Sequence, residues 1–296
     1  YDRSVLEERL VGEEFTVQAF VANGDVRVTP AVQDHKRAYE GDEGPNTGGM
    51  GSYSDATLEL PFMTEDDYME AVAVLEATVE ALDGYKGVLY GQFMLTADGV
   101  KVVEFNARFG DPEAMNTLPV LNTDFLDVLV AAREGESLPK LSFAPKATVC
   151  KYAVPEGYPT DPESGARVTV DEETIERVNE RYRGEGQGSN AVADGGSPVA
   201  DGGSPATDGG SPATDGGSPP EALLFYASVD EREDGIYTTT SRAFAVVGVA
   251  DTISVAEEVA EDALAAAGDG VRIRHDIGKP DLVQRRIDHV RELRGE

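Results

Sequence analysis

The sequence has a single cysteine, Cys150, so no disulfide can close within the chain, and a reducing cytoplasm is the expected setting. It has no apolar run approaching the length of a membrane span. Its first residues, Tyr1-Asp2-Arg3-Ser4, lack both the charge pattern and the apolar core of a signal peptide. Lysine is scarce, at seven of the 25 basic residues, against 56 acids and a formal charge of −31. A field of that sign repels nucleic acid and anionic membranes, and it destabilises the compact state unless salt screens it. We therefore expect no nucleic-acid partner, no membrane partner, and adaptation to a high-salt cytoplasm. An initiator methionine is also missing, and the chain reads as a piece of something longer.

What is present is length: 296 residues at 40% apolar content can bury a sizeable core and form two domains. Cys150 sits in the run Ala147-Thr148-Val149-Cys150, which makes it a buried structural thiol. The most informative stretch runs from Val102 to Glu113. Val103 and Phe105 alternate with polar neighbours, the period of a strand. Residues two apart share a face, so Glu104, Asn106 and Arg108 fall in a row if the strand extends that far. Two oxygen ligands backed by a guanidinium suit a divalent cation that carries phosphate. A half-exposed strand with a polar outer face would give the same pattern. The turn Gly110-Asp111-Pro112-Glu113 then stops the strand and fixes the direction of the next segment.

Upstream, Ser4–Val11 reads as a short strand ending at Gly12. Phe15 to Val21 and Val26 to Val32 form an antiparallel hairpin across Asn23-Gly24. The next loop holds His35, Lys36 and Arg37, three basic-capable residues in a row. It continues into Gly44-Pro45-Asn46-Thr47-Gly48-Gly49-Met50-Gly51, where backbone N–H groups can approach an anion without hindrance from Cβ atoms. Together they suggest a phosphate or carboxylate site, although glycine-rich loops are often no more than loops.

Thr64 to Leu82 has a helical period, with Thr64 and Asp67 as a capping box, Val72, Leu75, Val79 and Leu82 on one face, and Gly84 at its end. Val88–Leu95, the turn Ala97-Asp98-Gly99 and Val100–Phe105 make a second hairpin. A helix from about Asp124 to Arg133 buries Phe125, Leu126, Leu129 and Val130.

Prolines between Pro139 and Pro145 mark a domain boundary, giving domains at 1–145 and 146–296. Ala147 to Val154 is strand-like. Asp-Gly-Gly-Ser-Pro then recurs four times, starting at Asp194, Asp201, Asp208 and Asp215. Such a tract cannot bury enough surface to offset its ordering entropy, so about 184–220 reads as a disordered insertion. Folded sequence resumes at Leu223, with a strand at Phe244–Val249 and a helix capped by Ser254 with Glu257. A last strand at Val271–Arg274 precedes a terminal helix from Pro280 that uses Val283, Ile287, Val290 and Leu293. His275 and His289 have no histidine or cysteine at metal spacing and read as structural or solvated imidazoles.

The run Arg108-Phe109-Gly110-Asp111-Pro112-Glu113 resembles the signature of the phosphoribosylamine–glycine ligase (glycinamide ribonucleotide synthetase) family of ATP-grasp enzymes. Gln33-Asp34-His35-Lys36-Arg37, the loop from Gly44 to Gly51, Gly87-Val88-Leu89-Tyr90, Val103-Glu104-Phe105-Asn106 and Asp276-Ile277-Gly278 resemble it in order and spacing. The resemblance covers nearly the whole chain apart from the repeats. It implies an α+β fold: the second lobe of an ATP-grasp domain, with antiparallel sheet and helices, then a smaller α/β carboxy-terminal domain.

For activity, the resemblance implies ATP-dependent joining of glycine to 5-phosphoribosylamine through glycyl phosphate, in de novo purine synthesis, with Mg²⁺ or Mn²⁺. On this resemblance Glu104 and Asn106 bind the metal, and Arg108, Asp34 and Lys36 are catalytic. Gln33, Arg37, Asn46, Thr47, Gly48 and Asp111 bind the substrates. Glu7, Glu8, Arg9 and Leu10 form the hinge that receives adenine, and Glu14 meets the ribose hydroxyls. The family's amino-terminal domain, its phosphate-contacting lysines and its flap would precede Tyr1. A cytoplasmic monomer is expected. The alternatives are another ATP-grasp carboxylate–amine ligase, which the Gln33–Gly51 loop argues against, and a non-catalytic nucleotide-binding remnant or split subunit.

Overall fold

Asn23 and Gly24 both hold positive φ, 56° and 87°, the pair of left-handed residues that a tight hairpin turn of this hand requires. Across that turn β1 (Gly12–Ala22) pairs antiparallel with β2 (Asp25–Val28). The computed structural model describes residues 7–188 and 218–296. The return strand stops at Val28, short of the expected Val32, where Pro30 offers no N–H to continue a ladder. Residues 7–11 are irregular and mostly exposed, so the chain enters the sheet at Gly12, where a strand was expected to end. The first residues of that expected strand lie outside the described residues.

The loop after the hairpin is built from short pieces: β3 (Gln33–Asp34), β4 (Arg37–Tyr39), β5 (Glu43–Asn46) and β6 (Gly51–Ser54). Helix α1 (Glu65–Ala81) starts at a complete capping box between Thr64 and Asp67. Its buried residues include Tyr68, Ala71, Val72 and Leu75, while Leu82, expected on that face, is exposed. Strands β7 (Gly87–Thr96) and β8 (Gly99–Asn106) follow, so the order β2-β1-β7-β8 makes one four-stranded antiparallel sheet.

Helix α2 (Glu113–Thr117) opens at Pro112, and α3 (Phe125–Glu134) runs from its Asp124 cap to a left-handed Gly135. The buried face of α3 is not the expected one: Val128 and Ala131 are buried, while Leu126, Leu129 and Val130 are exposed. The sequence Phe-Leu-Asp-Val-Leu-Val-Ala-Ala is apolar nearly all round, so periodicity cannot fix its rotation. Packing against Phe20 and Ala22 of β1 does.

Strand β9 (Ala147–Pro155) is buried at every position and anchors a larger sheet. After β10 (Arg167–Val168), α4 (Glu172–Gly188) continues past Gly184, where disorder was expected to begin. The tract 189–217, with most of the repeats, lies outside the described residues. Beyond it come β11 (Glu221–Tyr226), β12 (Val229–Arg232), β13 (Gly235–Thr238) and β14 (Phe244–Ala250). Helix α5 (Ile253–Leu264) is capped by Thr252, whose hydroxyl accepts from Val255 N–H, not by Ser254. Glu257 instead pairs with buried Lys151 at 2.7 Å. The chain ends with β15 (Val271–Ile273) and α6 (Pro280–Arg294).

The larger sheet has the order β11-β14-β9-β6-β3, with β15 also on β9. It therefore joins residues of both halves, as Ser52 lies opposite Cys150 and Val247 opposite Cys150 on the other side. Cys150 is fully buried there, and burial pushes its thiol well above the ordinary range, as a structural cysteine should be. Terminal helix α6 packs on β1 through charge as well as through Leu282 and Val290. Arg286 and His289 meet buried Glu13, and Arg294 meets Asp67 at 2.5 Å. Among the described residues, no helix is long and apolar enough to cross a membrane.

Candidate active site

Strand β8 places Glu104 opposite Gln92 and Asn106 opposite Tyr90 of β7, which puts both polar heads on one side of the sheet. The Asn106 amide donates to Glu104 Oε1 at 3.0 Å, so the two heads share one spot. The strand ends at Asn106, yet Arg108 stays in line, with its guanidinium 6.0 Å from the Tyr90 ring centre. The register shifts beside Val103, and Val103 and Phe105 are 40% and 38% exposed, not buried on the back of the strand.

Glu104, Asn106 and Arg108 line a cleft of about 330 Å³, and across it stand Asp34, Lys36, Asn46, Thr47 and Gly48. A second cleft of about 380 Å³ adjoins it through Asp34, Lys36 and Asn46, and adds Glu14, Gln33, Arg37, Met94, Arg286 and His289. Glu14 sits at the junction, 3.5 Å from Lys36 and hydrogen-bonded by Gln92. Gln33 is buried, bridging Glu13 and the Tyr53 hydroxyl. Glu7, Glu8, Arg9 and Leu10 line neither cleft and form a largely exposed lead-in to β1.

Two expectations about the basic loop fail. His35 is buried, with neither ring nitrogen hydrogen-bonded, and burial together with nearby Arg286 lowers it to about 3. It is neutral, and the positive charge facing the clefts comes from Lys36, Arg37, Arg108 and Arg286. The glycine-rich loop is not an open cradle of amides either. Thr47 N–H donates to Lys36 O, Gly48 N–H to the Tyr158 hydroxyl, Gly49 N–H to Thr47 Oγ1, and Met50 N–H to His35 O.

The loop's glycines serve close approach instead. A Cβ at Gly49, where φ is 109°, would lie 2.8 Å from Asp34 Oδ1; in the turn after β8, one at Gly110 would lie 2.5 Å from Glu113 Oε2. These two carboxyls, Glu113 buried and Asp34 half-buried with its Oδ1 out of water, face the same cleft, and desolvation first, then the charge of Glu113, holds Asp34 well above the carboxylate range. Burial also raises Glu113, although the Tyr90 hydroxyl donates to it at 2.8 Å. Asp34 Oδ1 has no hydrogen-bond partner.

Sequence reading missed Arg242, Arg286, His289, Gln92 and Tyr90. Arg286 and His289 stand one helical turn apart on α6, a spacing that carries no signal until Glu13 is known to lie beside it. His289 bonds Glu13 at 2.5 Å and is a structural imidazole that also lines a cleft. His275 bonds Glu261. Asp111 lines the first cleft, but its carboxylate is taken by Arg242 and the Tyr152 hydroxyl.

An antiparallel sheet thus carries a carboxylate, an amide and a guanidinium into a cleft that a glycine-rich loop also lines. The model for the phosphoribosylglycinamide synthetase ATP-grasp (A) domain matches residues 1–114. That family's C domain matches residues 198–280. The chain belongs to the phosphoribosylglycinamide synthetase family.

Curated relatives named phosphoribosylamine–glycine ligase include those of Methanocella arvoryzae, 49% identical over all of this chain, and Methanosarcina barkeri, 48% identical over 98% of it. The chain spans 59% and 58% of their lengths, well under the whole. Among solved structures, phosphoribosylamine–glycine ligase of Thermotoga maritima superposes with a TM-score of 0.66 at 24% identity, over 91% of this chain and 56% of that one. Biotin carboxylase of Campylobacter jejuni does so at 0.58 and 13%, over 94% and 52%. These last two establish the fold.

Proposed function

We propose that this chain carries the metal and substrate residues of an ATP-dependent ligase that joins glycine to 5-phosphoribosylamine, in the cytoplasm and in purine synthesis. The observation that carries this reading is the convergence of Glu104, Asn106 and Arg108 on one cleft with Lys36, Asp34 and the Asn46–Gly48 loop. The names of the relatives support the reaction.

The residues fit a divalent cation, Mg²⁺ or Mn²⁺. Glu104 and Asn106 offer one carboxylate and one amide oxygen at a shared spot, and a half-turn of the amide brings that oxygen to face it. Among the described residues no group of three or more His, Cys, Asp or Glu could hold a metal alone. A two-ligand site suits a cation whose other positions are filled by water and phosphate. Bound there, the cation would offset charge on the transferring phosphoryl group.

Arg108 can meet phosphoryl oxygens with a planar fork, and Lys36 adds a point charge on the far wall. The Asn46–Gly48 loop lines the opposite side, where an amino acid and an amine must approach. Glu14, on the second cleft and close to Lys36 of the first, suits the ribose hydroxyls of ATP.

The test is Glu104→Gln in the full-length protein. Metal-dependent ADP release in the presence of glycine should fall about 100-fold or more, with an unchanged unfolding transition. Undiminished turnover would remove the metal assignment.

A further inference from the structure

Arg242 stands immediately before β14, far along the chain from the cleft, and its side chain is only 13% exposed. Its Nη1 donates to Gly48 O at 2.8 Å, Gly49 O at 3.1 Å and Asp111 O at 3.0 Å. Its Nη2 lies 2.9 Å from Asp111 Oδ2, and the guanidinium rests 4.3 Å over the Tyr152 ring. Tyr152 in turn donates to the other Asp111 oxygen at 2.6 Å.

We propose that Arg242 is a positioning residue: it fastens the glycine-rich loop to the turn after β8, and so fixes the wall of the cleft that faces Glu104 and Asn106. The role of that wall rests on the ligase reading; the clamp itself does not. Three carbonyls on Nη1 and a carboxylate on Nη2 occupy two separate nitrogens of one flat head group, a spread that the single nitrogen of an ammonium cannot reproduce. The base of the clamp is rigid, because β14 pairs with β9, and β9 carries both Tyr152 and the ladder to β6. At Gly49 a Cβ would lie 3.3 Å from Arg242 Nη1, so the loop's close approach serves the clamp.

The test compares Arg242→Lys and Arg242→Ala with the full-length wild type by kinetics and by hydrogen exchange. For Arg242→Lys, kcat/KM for glycine or for phosphoribosylamine should fall roughly 10- to 100-fold, while KM for ATP stays within about twofold. The amides of Gly48, Gly49, Met50, Gly110, Asp111 and Glu113 should exchange about tenfold faster or more in both variants, with the β9–β14 ladder unchanged. Equal losses for ATP and its co-substrates, or unaltered exchange at those amides, would overturn the proposal. If the wild type itself lacks ligase turnover, the functional reading fails and the exchange data alone decide the clamp.

Discussion

Asp34 and His35 are neighbours in sequence and opposites in titration. Asp34, raised from 3.8 by burial and by Glu113, keeps its proton in the folded state where the unfolded chain has lost it. Stability from that proton is therefore present below 3.8 and declines as pH rises toward the raised value. His35, lowered from 6.5 to about 3, is neutral when folded and charged when unfolded across that interval. Its contribution is present above 6.5 and lost as pH falls toward 3. Above 3.8 the contribution of Asp34 falls with pH, while up to 6.5 that of His35 rises, so just above 3.8 the two oppose each other. Denaturant unfolding should accordingly show that, relative to wild type, Asp34→Asn removes a fall in stability as pH rises above 3.8, while His35→Gln removes a rise that extends up to 6.5. Parallel profiles for wild type and both variants would contradict these assignments. At this scale the sequence is only half informative. Residue type marks Glu104, Asn106 and Lys36 for the cleft, whereas the neutrality of His35 depends on being enclosed by distant Tyr53 and Arg286.

At the scale of elements, what was legible is what is local. The Thr64–Asp67 box and the Asn23-Gly24 turn act within a few residues of themselves, and both are found where expected. The Thr64 box is testable by its size: Thr64→Ala should cost about 1 kcal/mol, seen as a drop of roughly 2–4 °C in Tm. No change would mean that the Arg294–Asp67 pair alone holds the start of α1. The illegible features are those decided by a partner far along the chain. The face of α3 is chosen by Phe20 and Ala22, and the wall of the cleft by Arg242. The strand row at Glu104 and Asn106 was readable because its period is two. That the loop's amides are spent internally was not, since Tyr158 supplies one of the acceptors from a separate segment.

Over the whole molecule, two kinds of charge must be separated. The links of Arg286 on α6 with Glu13 and Asp42, and of Arg274 just after β15 with Asp42 and its near neighbour Asp276, lie largely out of water. Dissolved ions screen such pairs weakly. The remaining acids, which bring the formal charge to −31, repel one another through solvent, where ions do reach them. Salt should then remove repulsion while leaving the internal links in place. Screening is nearly complete near 1 M, where the Debye length is about 3 Å. Tm should climb steeply from low salt to about 1 M KCl, and less steeply beyond it. Potassium chloride, sodium chloride and tetramethylammonium chloride at equal ionic strength should act alike over the steep part, because screening depends on charge and not on ion type. A flat or falling Tm across that range would show that the acidic surface contributes no net repulsion, and adaptation to concentrated salt would lose its physical basis.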